Sequence, residues 1–463
     1  MRSNTRHRIT AVAGGLSLAL ALAACTAPPE DEDETGGGDE GGGTEVAEGC
    51  EAFADYGDLA GTTITVYTSI TSPEDQPHID SYIPFEECTG ATVEYEGSRE
   101  FEAQLPVRIQ AGNPPDIAYI PQPGLLATIV GDNPDAVVPV GEMAEANVDE
   151  FYDPAWKDYG SIDGTYYATP LGANVKSFVW YSPTMFADAG YTVPETWDDL
   201  IALSDQMVSD GVAKPWCAGI ESGEATGWPA TDWLEDVMLR TAGPDVYDQW
   251  VSHDIAFDDP QVAEALDTVG SILKNEDYVN AGIGDVRSIA STPFTDAGFP
   301  ILQGQCYMHR QASFYAANWD SAQEGVTVAE DGDVFAFYFP SMDPEQRPVL
   351  GGGEFVAAFS DRPEVAAFQA YLVSPEWNNA KIESTGPGWV SANSGQDTSL
   401  YASPIDKLSA ERLADPNTVF RFDGSDLMPG EVGAASFWTE MTNWIASDKS
   451  TADVLAAIEA SWP

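Results

Sequence analysis

The chain is 463 residues long and carries 19 basic against 76 acidic residues, a net charge of −57. Such a balance repels nucleic acid phosphates and anionic lipid headgroups, so neither nucleic acid nor a charged membrane surface is an expected partner. The length points to two lobes rather than one core.

Residues 1–8 contain three arginines and no acid, and residues 9–24 are apolar with an A-L-A-L-A-A core. This is the pattern of an export signal, a positive start followed by a short apolar run ending in small residues. The run closes on Leu22-Ala23-Ala24-Cys25, which resembles a lipobox. Residues 1–24 therefore read as the signal peptide, and Cys25 as the acylated first residue of the mature chain, held in the lipid bilayer. A plain signal peptide cut near Ala24 is the alternative. No second apolar run approaches membrane length, so the lipid would be the sole anchor.

After Cys25, residues 26–49 hold nine acids, seven glycines and no basic residue. With almost nothing to bury, 25–49 reads as a disordered, self-repelling tether that lets a folded body range about 25 to 30 Å from its anchor. Residues 36–41 match G-x-G-x-x-G, but no strand precedes them and no helix follows, so no dinucleotide site is read there. Without the signal arginines the net charge is −60, and without the tether acids −51. Most of it reads as a solvated face.

Cys50, Cys88, Cys217 and Cys306 are an even set in an exported chain, where disulfides are the default. Three pairings are possible, and proximity favours Cys50 with Cys88 and Cys217 with Cys306. No C-x-x-C or His/Cys cluster suggests a metal, and no cofactor is expected.

The folded region opens as βαβαβ: strands at 62–67, 91–95 and 116–120, a helix from Ser72-Pro73 to about Cys88, and another from Glu100 to the break at 112–115. Alternation of this kind implies a largely parallel α/β sheet, whose ligands meet the loops at the carboxyl ends of the strands. Those loops carry Ser69, Ser98, Arg99 and Gln122. From Tyr166 two strand-like stretches meet through Gly172-Ala173-Asn174. A helix then opens at Thr196 with the capping pair Thr196 and Asp199 and the apolar positions Leu200, Leu203 and Met207. A last helix is expected over 451–462.

The stretches FEAQLPVRIQAGNPPDIAYIPQPGLL, GIESGEATGWPATDWLEDVMLRTAG, QCYMHRQASF, GGGEFVAAFSDRPE, GPGWVSAN and DLMPGEVGAASFW, together with the segment from Tyr166, resemble the extracellular solute-binding proteins of ABC importers, in their α-glucoside-type branch. The resemblance implies a two-lobed, flytrap-like α/β fold with a hinge crossed more than once. The first lobe would hold 50–170 and return near 354–377; the second would hold 171–353 and about 378–463. It also implies an oligosaccharide ligand, a membrane permease as partner, a monomer, and no catalysis.

A neutral sugar presents hydroxyls and nearly apolar C–H faces, so its site needs flat side chains with polar groups at their rim. Trp228, Trp389 and Phe437 or Trp438 stand beside Gly or Pro or at helix starts, where a ring can face a cleft. Asn174, Glu221, Asp232, Arg310 and Glu354 are the polar candidates, Asn174 and Glu354 foremost because they flank the crossings. Ile120 stands where related sugar binders often carry an aromatic residue. A surface glycoside hydrolase is the rival class, but paired carboxylates discriminate nothing in so acidic a chain, and no nucleophile elbow, H-E-x-x-H or P-loop occurs. The same fold with a polyol or peptide is the other alternative, kept open by Arg99, Lys176 and Arg310. Replacing Cys25 with Ser is expected to release the protein into the medium, or leave it unprocessed, with sugar affinity unchanged; fractionation of cells checks this, and a cleaved variant that stays on the membrane overturns the lipid anchor.

Overall fold

Apolar β-branched alternation puts the first strand, Thr63–Thr68, in the middle of a parallel ladder. The computed structural model describes residues 48–463 apart from 283, 385–387 and 416; the signal, Cys25 and nearly all of the tether lie outside the described residues. Thr63–Thr68 pairs in parallel with Thr92–Gly97 on one side and Ile117–Ile120 on the other. The ladder continues antiparallel through Phe355–Ala358 to Ala168–Pro170. Ile117–Ile120 is buried along its whole length, the signature of a strand covered on both faces. Phe101, Leu105 and Ile109 form the buried face of helix Phe101–Gln110.

The helix expected from Ser72 is instead two short helices, Asp75–Asp80 and Ile83–Thr89. Pro84 lacks the N–H that would bond to the Asp80 carbonyl, so the first helix cannot run on into the second.

A second five-stranded sheet has the order Val279–Asn280, Lys214–Cys217, Cys306–Arg310, Phe178–Tyr181, Phe335–Tyr338, with the last two joined antiparallel. Helix Trp197–Asp210 packs beside it, opened by Thr196, whose hydroxyl accepts from the Asp199 amide at 3.2 Å and donates to the Asp199 carboxylate at 2.7 Å. Leu200, Leu203 and Met207 are its buried face, so the capping pair and the apolar spacing act together. The final helix, Thr451–Glu459, ends three residues before the expected 462.

Between the two sheets runs a third of three strands: Thr418–Phe422, Arg347–Gly352 and Asn174–Val175. Here the expectation of two stretches between Tyr166 and Tyr181 is corrected to three, because Asn174–Val175 pairs on its own with Gly351 and Gly352. The two chain segments that leave this sheet for the first one, 170–174 and 352–355, lie against each other. The Leu171 amide donates to the Glu354 carbonyl at 2.8 Å. A Cβ on Gly353 would collide with the Gly172 carbonyl oxygen, so only glycine lets the two backbones approach this closely.

Cys50 is bonded to Cys88 and Cys217 to Cys306, separations of 38 and 89 residues. These are the pairings that proximity favours. Each loop is long enough for its bridge to stabilise the fold by about 2 to 4 kcal/mol. Thiol titration of the denatured, unreduced protein is expected to find none of these four free, and reduction to lower the unfolding midpoint.

Candidate functional site

At the carboxyl ends of the first sheet's parallel strands the chain turns into the loops that carry Ser69, Arg99 and Gln122, and these three line one wall of a cleft. Asn174 and Glu354, at the two crossings, line its floor, and Trp228 lines the opposite wall. The cleft holds about 1010 Å³ of space, including its mouth open to solvent.

Trp228 is the first residue of helix Trp228–Thr241. The helix starts hard against another: a Cβ on Gly227, whose φ is +116°, would strike the Trp438 carbonyl oxygen, so the turn requires glycine. The Trp228 ring meets Phe294 edge-on at 4.9 Å and Phe314 at 6.0 Å, and the Lys176 ammonium lies 5.5 Å from its centroid; the ring lines the cleft between these contacts.

The other expected residues fall elsewhere. Asp232 and Arg310 are 0% and 3% exposed and lie under the cleft. Arg310 donates to Asp232 at 3.3 Å and to Asp236 at 3.0 Å, and the Lys176 ammonium donates to Asp232 at 3.0 Å. Charges this deep persist because they are paired, so these two hold one another rather than a ligand. Phe437 is fully buried against Trp250 and Phe257; its neighbour Trp438 lines the cleft instead. The π-helical turn Val432–Phe437 inserts a residue into the helical phase, which sends Phe437 to the core. Trp389 lines an adjoining cavity rather than the cleft. Ser98 accepts from the Glu100 amide and Glu221 from the Gly223 amide; both shape loops beside the cleft without lining it. Ile120 is buried in the sheet, and Pro121 beside it reaches the cleft.

Sequence reasoning missed Glu74, Glu102, Asp423 and Asp426, four further carboxyls of the lining. Glu74 follows Ser72-Pro73 directly after the first strand's loop, and extending that loop by a few residues reaches it. Asp426 opens the quoted stretch DLMPGEVGAASFW, so the motif that pointed to Phe437 and Trp438 could have found it; Asp423, three residues earlier, carries no such signal. Burial pushes the Glu354 carboxyl up to about 7, and burial together with the Glu354 charge pushes Glu74 to about 8. Burial would lower the Lys176 pKa, but Asp232 and Asp423 outweigh it and hold the ammonium firmly charged. Asp423, bonded to that ammonium, stays ionised against its own burial. Burial and the neighbouring Asp423 raise Asp426.

Three lining residues carry buried polar atoms with no hydrogen-bond partner: the side-chain oxygens of Asn174 and Gln122 and the indole N–H of Trp438. Two acceptors and a donor, each deprived of water and unpaired, are costly unless something completes them. Beside them stand the rings of Trp228, Phe294 and Phe314. This set can hold a molecule with both apolar faces and hydroxyls. Among the described residues no group of three or more His, Cys, Asp or Glu is placed to hold a metal ion.

The family model for the bacterial extracellular solute-binding protein matches residues 69–379. Over 423 residues the chain is 39% identical to the osmoprotective compounds-binding protein GgtB of Synechocystis sp., covering 90% of this chain and 96% of that one. It is 38% identical over 424 residues to the alpha-glucosides-binding periplasmic protein AglE of Rhizobium meliloti, covering 89% of each. Among solved structures, the bacterial solute receptor AcbH superposes with a TM-score of 0.71 over 86% of this chain and 98% of its own at 20% identity, a likeness of fold.

A buried carboxyl with a raised pKa makes the native state hold its proton longer than the unfolded chain does. Its contribution to stability is complete below the unfolded value near 4.5 and is lost as pH rises through the folded value near 7. Glu354→Gln cannot ionise, so between pH 5 and 8 the variant is expected to gain on the wild type by on the order of 2 to 3 kcal/mol. Paired denaturant titrations across that range check it; a constant difference overturns the assignment.

Proposed function

The chain belongs to the bacterial extracellular solute-binding proteins, and we propose that it captures a neutral α-glucoside or short oligosaccharide between its lobes and hands it to the permease of an ABC importer. The observation that carries this reading is the convergence of unpaired acceptors on Asn174 and Gln122 and an unpaired donor on Trp438 with the ring of Trp228. A pyranose supplies both halves of that requirement, hydroxyls of either hydrogen-bonding sense and a C–H face. The near full-length likeness to an alpha-glucosides-binding protein supports the sugar class.

An anion is disfavoured. Lys176 is already committed to Asp232 and Asp423, which leaves Arg99 as the other cationic side chain of the lining, set among the carboxyls of Glu74, Glu102, Glu354, Asp423 and Asp426, so an anionic ligand would have a single cation to pair with. This argues against a peptide. A polyhydroxylated osmolyte is the second reading, favoured by the likeness to an osmoprotective compounds-binding protein.

Residues 50–170 with about 354–377 form the first lobe in this reading, and the remainder of the folded part the second. Ligand contacts divide between them, with Ser69, Arg99 and Gln122 on one and Trp228 on the other. A solute that touches both lobes at once stabilises the closed arrangement over the open one, because only differential affinity moves such an equilibrium. No bond is made or broken. A monomer suffices for this task, and the acylated Cys25 with its tether would keep it at the outer face of the membrane.

Trp228→Ala is expected to weaken saccharide binding by about 2 to 4 kcal/mol, the range of a large aromatic anchor, with little effect on the melting of the free protein. Calorimetric titration with a panel of mono-, di- and trisaccharides, beside melting curves, reads both. If the free variant loses about 3 to 5 kcal/mol of stability while its folded fraction keeps its affinity, Trp228 is core and the sugar reading of the cleft falls.

A further inference from the structure

Two turns meet at the rim of the cleft. One, residues 98–100, follows strand Thr92–Gly97 of the first sheet; the other, residues 221–226, precedes helix Trp228–Thr241. Arg99 and Ser222 line the cleft from these turns, while Glu100 and Gly223 are exposed to solvent. A Cβ placed on Gly223 would lie 3.3 Å from the Arg99 carbonyl oxygen and 3.4 Å from the Arg99 Cβ, so the opposite walls touch here.

We propose that these turns form a latch: they hold the two walls together at the mouth of the cleft by a contact that no solute supplies, and solute passes when they part. The inference rests on the reading of the cleft as the place of capture, and adds the element that governs entry and release.

Each turn is complete in itself. The Ser98 hydroxyl accepts from the Glu100 amide at 3.1 Å, and the Ser98 amide donates to the Thr68 carbonyl at 2.9 Å. On the other side the Glu221 carboxylate accepts from the Gly223 amide at 2.7 Å. The Thr226 hydroxyl accepts from the Ser222 amide at 2.9 Å and donates to the Gly223 carbonyl at 2.6 Å. Among the described residues no hydrogen bond runs from one turn to the other. Parting them therefore leaves no donor or acceptor newly unpaired, and each keeps its shape alone. What is lost is a patch of van der Waals contact, small for each pair of atoms. Glu100 on one turn and Glu224 on the other bring like charge to the two sides, which works against the contact.

The approach differs in kind from the one at the floor. A Cβ on Gly353 would overlap the Gly172 carbonyl oxygen at 2.2 Å, the mark of two backbones packed against each other permanently. At Gly223 the spacing is that of two surfaces resting together. Gly223 has a φ of +60°, which asparagine also adopts. A side chain there would have to push the Arg99 backbone away, so the glycine is what lets the walls meet.

The contact can be caught without a solute. In the double variant Arg99→Cys with Gly223→Cys the two Cβ atoms stand near the roughly 3.5 to 4.5 Å that a disulfide spans. Mild oxidation of the unliganded double variant is expected to join them, read by mass spectrometry of the crosslinked peptides. Its radius of gyration by X-ray scattering should equal that of the unliganded wild type. Gly223→Asn, folded by its melting curve, is expected to have a larger unliganded radius than the wild type. Cysteines that stay reduced, a crosslink that shrinks the molecule, or a Gly223→Asn profile superimposable on the wild type's each overturn the latch. With the saccharide that binds the wild type most tightly, Gly223→Asn is expected to speed dissociation by about fivefold or more, and the crosslink to slow it by about tenfold or more. Unchanged dissociation in both overturns the latch and leaves the reading of the cleft intact. If no saccharide binds the wild type, the sugar reading falls, and crosslinking and scattering still decide whether the turns hold the mouth.

Discussion

One ammonium group holds the middle of this molecule together. Lys176 leaves the short strand at the crossing and places its Nζ between Asp232, in helix Trp228–Thr241, and Asp423, at the end of the strand Thr418–Phe422. Three stretches far apart in sequence meet on that nitrogen. The pairing is continued by Arg310, which bridges Asp232 and Asp236, and by Arg240, which bonds Asp236 in turn. Such a chain of buried charges costs desolvation and contributes little net stability against an apolar alternative, but removal of any one member strands its partner, at about 3 to 5 kcal/mol. Its effect is to make position, not stability: the crossing, the helix that starts at Trp228 and the C-terminal strand cannot shift independently.

The cleft inherits its character from that arrangement. Because the lining ammonium of Lys176 is consumed below, what remains toward the ligand is Arg99 and a surplus of carboxyls, and burial keeps several of them reluctant to ionise. A carboxyl in that state can donate as well as accept a hydrogen bond. Hydroxyl groups, which also do both, are the natural complement. The acidity of the exterior and the acidity of the cleft therefore have different causes, the first being solvated surface and the second being enclosed and only partly charged.

Much of the architecture was legible before the structure, and the reason is periodicity. Strands such as Thr63–Thr68 and Ile117–Ile120 announce themselves by apolar alternation or by continuous burial, and the parallel order then dictates which loops gather at one end. That logic alone brought Ser69, Arg99 and Gln122 to one wall. Pairing among polar residues is not written in any local pattern: Asp232 and Arg310 have the same appearance in sequence whether they face a solute or each other. Phe437 and Trp438 show a different limit, since a π-helical turn resets which of two adjacent rings looks inward, and the split at Pro84 shows how a single missing N–H divides an otherwise plausible helix. Trp389 lies between these cases, its ring legible as exposed to a cavity but the identity of that cavity decided by how the chain returns past Gly172.

The contact between Gly172 and Gly353 has a mechanical meaning. Two backbones touching with no side chain between them would act as a fulcrum in the proposed closure, where rotation of one lobe about it would displace each atom in proportion to its lever arm. Asn174 and Glu354, within two residues of the fulcrum, would travel least; Ser69 and Arg99 on one jaw and Trp228 on the other would travel more. In that proposed closure a solute would meet a nearly stationary polar floor first and the swinging rings only afterwards, so that admission and residence would be set by different residues.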